Sequence, residues 1–252
     1  MGLTVHFKLS LEPCPEDMAS AKARWAVEDA RKLAHQHRRK GLVDAVGPIC
    51  TDAATLRRFA RHWLTVSVPG QPHTFAGLEI HPLEGFFFVV NVGADCEPLT
   101  LGLCRYPEKV LHRGASVPTK LGGGWRFAGF SKTQYASLHG WEYFLRCHRA
   151  VIESLAEWRT LGVRVKINDE GEYWPRRSVA NLRRNVGQMN ALVAAAAGAL
   201  KDADDGAGAG IQSPIFAHRD FERLEAEGEA RAGATIRRAR GEISRLVQKL
   251  KQ

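Results

Sequence analysis

The chain has 252 residues, 44% of them hydrophobic, and a formal net charge of +9 at pH 7. That apolar content is enough to bury a core, which excludes an intrinsically disordered chain. No apolar run reaches the roughly 18 residues that a membrane-spanning helix needs, since the longest, 191–200, is short and alanine-rich.

The opening stretch has no basic region ahead of an apolar one, so no secretory signal is expected. His6 stands where a myristoylation motif wants Ser or Thr. The five cysteines, Cys14, Cys50, Cys96, Cys104 and Cys147, are odd in number and lack CxxC spacing. They suit reduced thiols in a cytoplasmic protein better than a disulfide framework or a zinc site.

Charge is unevenly placed. Residues 1–100 carry 11 basic and 11 acidic side chains, 101–201 carry 16 and 7, and 202–252 carry 9 and 9. The basic middle segment also holds all four tyrosines and four of the six tryptophans. Positive charge interleaved with aromatics is the composition of a surface that meets phosphates and bases.

In chain order, Leu3, Val5, Phe7 and Leu9 alternate with Thr4, His6 and Lys8, which predicts a half-buried strand. Residues 15–40 predict a helix, with Glu16 and Asp17 at its positive end, Arg38, Arg39 and Lys40 at its negative end, and Gly41 as terminator. A short helix is expected over 52–61. Strands are expected over 62–68, 77–81, 86–92 and 99–105, the third apolar enough to be covered on both faces. Residues 107–123, broken by Gly114 and Pro118, predict a loop. A strand over 125–135 would carry Arg126, Ala128, Phe130, Lys132 and Gln134 on one side, with Lys132 and Gln134 at an exposed rim.

A helix over 141–161 and a short strand from Val163 to Ile167 follow. In a second long helix over 178–201, Val179, Leu182, Val186, Met189, Val193, Ala196 and Leu200 step by three and four, predicting a narrow packing seam. The sequence therefore divides into a domain over 1–202, a Gly/Ala-rich linker over 203–217 and a charged helix over 218–252. Gly228, Gly233 and Gly241 weaken that tail helix by about 1 kcal/mol each relative to alanine. It needs a partner, either the 178–201 helix or a second copy of the chain.

Three groups of residues could carry chemistry. The run Gly122-Gly123-Gly124 could cradle a phosphate on its amides, although a hairpin serves equally well and no helix follows it. Lys132, Gln134 and Tyr135 could bind an anion or hydrogen-bond a base edge. The turn Asp169-Glu170-Gly171-Glu172-Tyr173-Trp174 gathers three carboxylates in four positions, a candidate for general-base or metal chemistry. HExxH, GxSxG and the dinucleotide-binding glycine pattern are absent from the sequence.

The runs Gly102-Leu103-Cys104-Arg105-Tyr106-Pro107, Lys132-Thr133-Gln134-Tyr135-Ala136-Ser137, Phe144-Leu145-Arg146-Cys147-His148 and 169–174 together resemble a family of uncharacterised bacterial proteins. The resemblance covers roughly residues 1–202. It implies a bacterial cytosolic protein and no particular activity.

The expected fold is α+β, a mixed or antiparallel sheet covered by the helices at 15–40, 141–161 and 178–201, with a helical C-terminal tail. The first functional expectation is a protein that binds nucleic acid or another polyanion. Arg126, Lys132, Arg164, Lys166, Arg176 and Arg177 would meet phosphates, Gln134 would add a polar contact, and Tyr135 and Trp174 would stack. The second is a small enzyme with Asp169 or Glu172 as base or metal ligand, His148 as acid or base, and Lys132 as anion holder. A third is a structural subunit that assembles with copies of itself through the tail helix. No membrane partner is expected, and neither a cofactor nor a metal is indicated.

Overall fold

The computed structural model describes residues 3–67, 75–203 and 212–231. Most of the expected linker, 204–211, and the expected tail helix beyond 231 lie outside the described residues.

Six strands form one sheet in the order β10-β1-β9-β6-β5-β2, with every neighbouring pair antiparallel. They are β1 (Thr4–Leu11), β2 (Ala45–Val46), β5 (Glu84–Asn91), β6 (Leu99–Arg105), β9 (Trp125–Lys132) and β10 (Val163–Asp169). The class is α+β, as the clustering of strands between helices predicts.

The two faces of the sheet have different covers. On the inner face, Val5, Phe7 and Leu9 stand in register with Ser131, Gly129 and Phe127 of β9 and with Asp169, Ile167 and Val165 of β10. Helices α1 (Glu16–Arg39) and α3 (Trp141–Ala156) lie over this face. The buried stripe of α1 is Ala23, Ala26, Val27, Ala30 and Ala34, small residues that let the helix sit close to the strands. Phe144, Val151, Ile152 and Leu155 of α3 are fully buried. Each large apolar side chain taken from water here contributes about 1.5–3 kcal/mol.

Among the described residues, the outer face is covered over only half its width. Asp52 caps α2 (Ala53–Phe59) by accepting from the Thr55 amide at 2.9 Å. Leu56 then packs over Gly85 and Cys104, and the Phe59 ring lies 5.8 Å from Phe87. The Tyr106 hydroxyl donates to the Ala60 carbonyl at 2.6 Å and ties α2 to the end of β6. These contacts explain why the 86–92 run is almost continuously apolar: β5 is covered by α1 on one side and α2 on the other. A separate hairpin of β3 (His62–Ser67) and β4 (Phe75–Ile80) follows α2 and stands beside the uncovered half.

Three local expectations are corrected. The segment expected to be a loop over 107–123 contains a hairpin, β7 (Lys109–His112) with β8 (Ala115–Pro118). Its two-residue turn, Arg113-Gly114, has φ of 50° and 79°, the positive pair of a type I′ turn. The strand expected over 125–135 stops at Lys132, and Gln134–His139 form a short 3-10 turn. Gln134 is therefore fully buried rather than at a rim. It accepts from the Leu3 amide at 2.9 Å and donates to Asn190 at 3.0 Å. The helix expected over 141–161 tightens to 3-10 geometry from Glu157 to Leu161.

The seam of α4 (Val179–Ala203) follows the sequence reading at Leu182 and Val186, which are buried, and at Met189 and Val193, which are half-buried against the apolar clusters. Val179 is exposed, and further along the buried positions move to Ala191, Ala194, Ala195, Ala197 and Ala199. The cause is α5, a helix over 221–231 that packs on this alanine stripe together with Ile215 and Leu224. Gly228 approaches so closely that a Cβ there would collide with the Ala191 carbonyl, and one on Gly198 would collide with Glu225. The described part of the tail helix is thus partnered within its own chain. Among the described residues, no helix is long and apolar enough to cross a membrane.

Candidate functional site

Strand pairing places nine residues in a grid on the uncovered half of the outer face. Arg164, Ser10 and Arg126 form one row. Lys166, Lys8 and Ala128 form the next, and Asn168, His6 and Phe130 the third. The alternation that buries Val5, Phe7, Val163, Val165, Trp125 and Phe127 turns these residues outward. From the Ser10 row to the His6 row is about 13 Å at a strand's usual rise, and three strands span about 10 Å.

None of Lys8, Arg126, Arg164 and Lys166 forms an ion pair among the described residues. Other cations are neutralised: Lys132 pairs with Glu97, Arg105 with Glu84, Arg146 with Asp44 and Arg184 with Glu172. Four neighbouring positive charges left without carboxylates raise the local positive potential over the face.

The β3 strand walls this floor. A groove of about 460 Å³ is lined by His62, Lys8, Ser10, Arg126, Arg164 and Lys166. It continues into one of about 570 Å³ bordered by Arg61, Trp63, His6, Phe130 and Asn168. Phe130 is 54% exposed and Trp63 66%, and the His6 and Phe130 rings sit 6.0 Å apart. Large apolar rings this exposed on a basic surface are available for stacking. Burial holds the His62 pKa below its ordinary value, and Arg126 and Lys8 push it the same way.

One carbonyl of the glycine run, that of Gly122, helps to hold Arg126. Arg126 donates from Nη1 to the Lys120 carbonyl at 3.4 Å and from Nη2 to the Gly122 carbonyl at 3.3 Å. Its Nε is buried and has no hydrogen-bond partner among the described residues. A carbonyl cradle cannot hold a phosphate, but it can hold a guanidinium still while further N–H groups remain to donate.

Of the expected catalytic residues, two are buried and two are not. His148 and Asp169 do meet: Nε2 lies 3.2 Å from Oδ1, both side chains are closed to solvent, and Thr133 Oγ1 is 3.0 Å from Nδ1. Asp169 also accepts from the amides of Gly171, Tyr173 and Trp174 at 2.8–2.9 Å. Burial alone would raise its pKa; the hydrogen bond and charge of His148, then the amides of Trp174 and Gly171, outweigh it and hold the carboxyl low. Every acceptor direction is used by the fold, the arrangement of a knot that closes a turn. Glu172 points away to Arg184 and Asn181 on the surface, and Lys132 is held by Glu97. None of the three grooves is lined by Lys132, His148, Asp169 or Glu172. Among the described residues, no group of three or more His, Cys, Asp and Glu could hold a metal ion.

Of the expected binding residues, Arg126, Arg164 and Lys166 stand together on the grid. Tyr135 is half-buried in the 3-10 turn. Trp174 has the guanidiniums of Arg159 and Arg177 over its ring at 4.9 and 5.0 Å. Arg176 is exposed beside this cluster, outside the grid. Sequence reading missed Lys8, His6, Ser10, Phe130, Trp63, Arg61 and His62 as site residues. The alternation in β1 and β9 already turned His6, Lys8 and Phe130 outward, and that was the available signal. Compared with family models, curated proteins and solved structures, the chain matches none.

Proposed function

We propose that the protein binds single-stranded nucleic acid across the uncovered face of β10, β1 and β9. One observation carries this reading: four cations without ion-pair partners stand in register on an open sheet face whose far row ends in exposed aromatic rings. Phosphates would meet Lys8, Arg126, Arg164 and Lys166. Bases would stack on Phe130 and Trp63, a contact open to any base because every base has a π-face. Single strands fit better than duplex because their bases can be splayed against a sheet, whereas a duplex keeps its bases stacked inside.

A salt series with fluorescent single strands tests this. Four phosphate contacts give a slope of log K against log salt of about −3, from roughly −0.7 per contact on a single strand. Replacing Lys8 and Lys166 together by Ala flattens the slope to about −1.5. Phe130→Ala weakens binding by about 1–3 kcal/mol at every salt concentration and leaves the slope unchanged. Binding that is absent at low salt, or unaffected by all three substitutions, rejects the reading.

A further inference from the structure

The basic groove has an abrupt end, and its end has a specific chemistry. Ser10, Arg126 and Arg164 line both the 460 Å³ groove and an adjoining cavity of about 820 Å³, so they stand at the junction of the two. Beyond them the lining changes sign: Glu12, Glu16, Glu84 and Glu108 border the second cavity, and Glu84 already holds its one further cation, Arg105, at 3.6 Å. A phosphodiester chain lying on the grid meets repulsion if it continues past Ser10.

We infer that this junction receives the terminal phosphomonoester of a single strand, held between Arg126 and Arg164 over the Ser10 hydroxyl. The inference rests on the nucleic-acid reading above and adds which part of the strand is recognised. Ser10 lies directly opposite Arg164 on one side and Arg126 on the other, so the two guanidiniums approach one anion from both flanks. Arg126 is fixed in place by the Lys120 and Gly122 carbonyls, which take one N–H from each Nη and leave the second to donate. A monoester carries close to two negative charges and three acceptor oxygens, where a diester carries one charge and two free oxygens. Two guanidiniums and a hydroxyl match the monoester in charge and in donor number. With the terminal phosphate at Ser10, the following nucleotides run along Lys8 and Lys166 towards Phe130 and Trp63. That span of about 13 Å has room for two or three splayed bases.

The test uses the full-length protein and one short oligonucleotide sequence, labelled internally, in four forms: with a 5′-phosphate, with a 3′-phosphate, with hydroxyls at both ends, and ligated into a circle. One phosphorylated form binds about tenfold tighter than the hydroxyl-ended form, as two charge-assisted contacts allow, and the circle binds no better than the hydroxyl-ended form. Arg126→Ala removes that preference. Arg164→Ala, at an exposed position, does the same without disturbing a packed group. Lys166→Ala weakens all four forms alike and keeps the preference. Equal binding of all four forms to the native protein overturns the inference and leaves the nucleic-acid reading standing. No binding of any form overturns both.

Discussion

Asp169 shows how much a single residue can carry away from any ligand. The sequence marked its turn as a place of concentrated carboxylates, and the structure shows what the pattern hid: this carboxylate is consumed by three backbone amides and His148. Nothing in the spacing of Asp169, Glu170 and Glu172 says which of them faces inward. Asp169→Asn loses the charge and one acceptor of a closed network, and the expected outcome is a loss of about 2–4 kcal/mol in stability, measured by urea unfolding. Because the fold holds the Asp169 pKa below its usual 3.8, its contribution is fully present above the ordinary carboxylate range and is lost as pH falls through the folded value. The Asn variant therefore shows a shallower acid limb than the native protein. Oligonucleotide binding by folded Asp169→Asn protein stays at the native level, a result that separates a structural knot from a working carboxylate.

Elements were legible wherever one partner explains their pattern. The 24 residues of α1 follow from a charged pair at each end and a stripe of small residues between. The early end of β9 was not legible, because the alternation of its sequence runs on through Gln134. What stops it is the amide of Gln134, which finds Leu3 and Asn190, one far upstream and one far downstream in sequence. The Arg113-Gly114 hairpin left a signal in its two-residue turn flanked by short apolar alternation, outweighed in the reading by the surrounding Pro and Gly. The alanines of α4 acquire meaning only once α5 lies against them. The test at this scale is Gly228→Val. Its side chain cannot fit over the Ala191 carbonyl, so α5 lifts from α4. Limited proteolysis then cuts within 212–231 much faster than in the native protein, while the body of the sheet stays resistant. Equal cutting of both proteins would show that the helices do not depend on this contact.

At the scale of the molecule, the site is a product of register. Single-strand alternation predicts that His6, Lys8, Arg126, Arg164 and Lys166 turn outward, but not that β1 lies between β9 and β10 and so gathers them on one face. The basic middle segment supplies Arg126, Arg164 and Lys166 to this face, while β1 and β3 come from the charge-balanced first hundred residues. One consequence is measurable by pH. His62 is held neutral by burial and by Arg126 and Lys8, and a phosphate in the groove offsets those charges. Protons are then taken up on binding, so affinity rises as pH falls through the ordinary histidine range, and His62→Gln flattens that rise. In the free protein the same depressed pKa has the opposite sign: its stability contribution is present above about 6.5 and is lost on acidification. A further consequence follows from the close seating of Gly228 on α4. The 25 residues of α4 make a rod of about 37 Å. Its C-terminal half, from Ala191 on, is clasped by α5 at backbone distance. The other is fastened through Asn185 to the Gly171 carbonyl, with Asn190 reaching Gln134 and Ser137 between them. Such a rod is a lever. A load on α5 is delivered through α4 with little slack to the turn where β10 leaves the sheet.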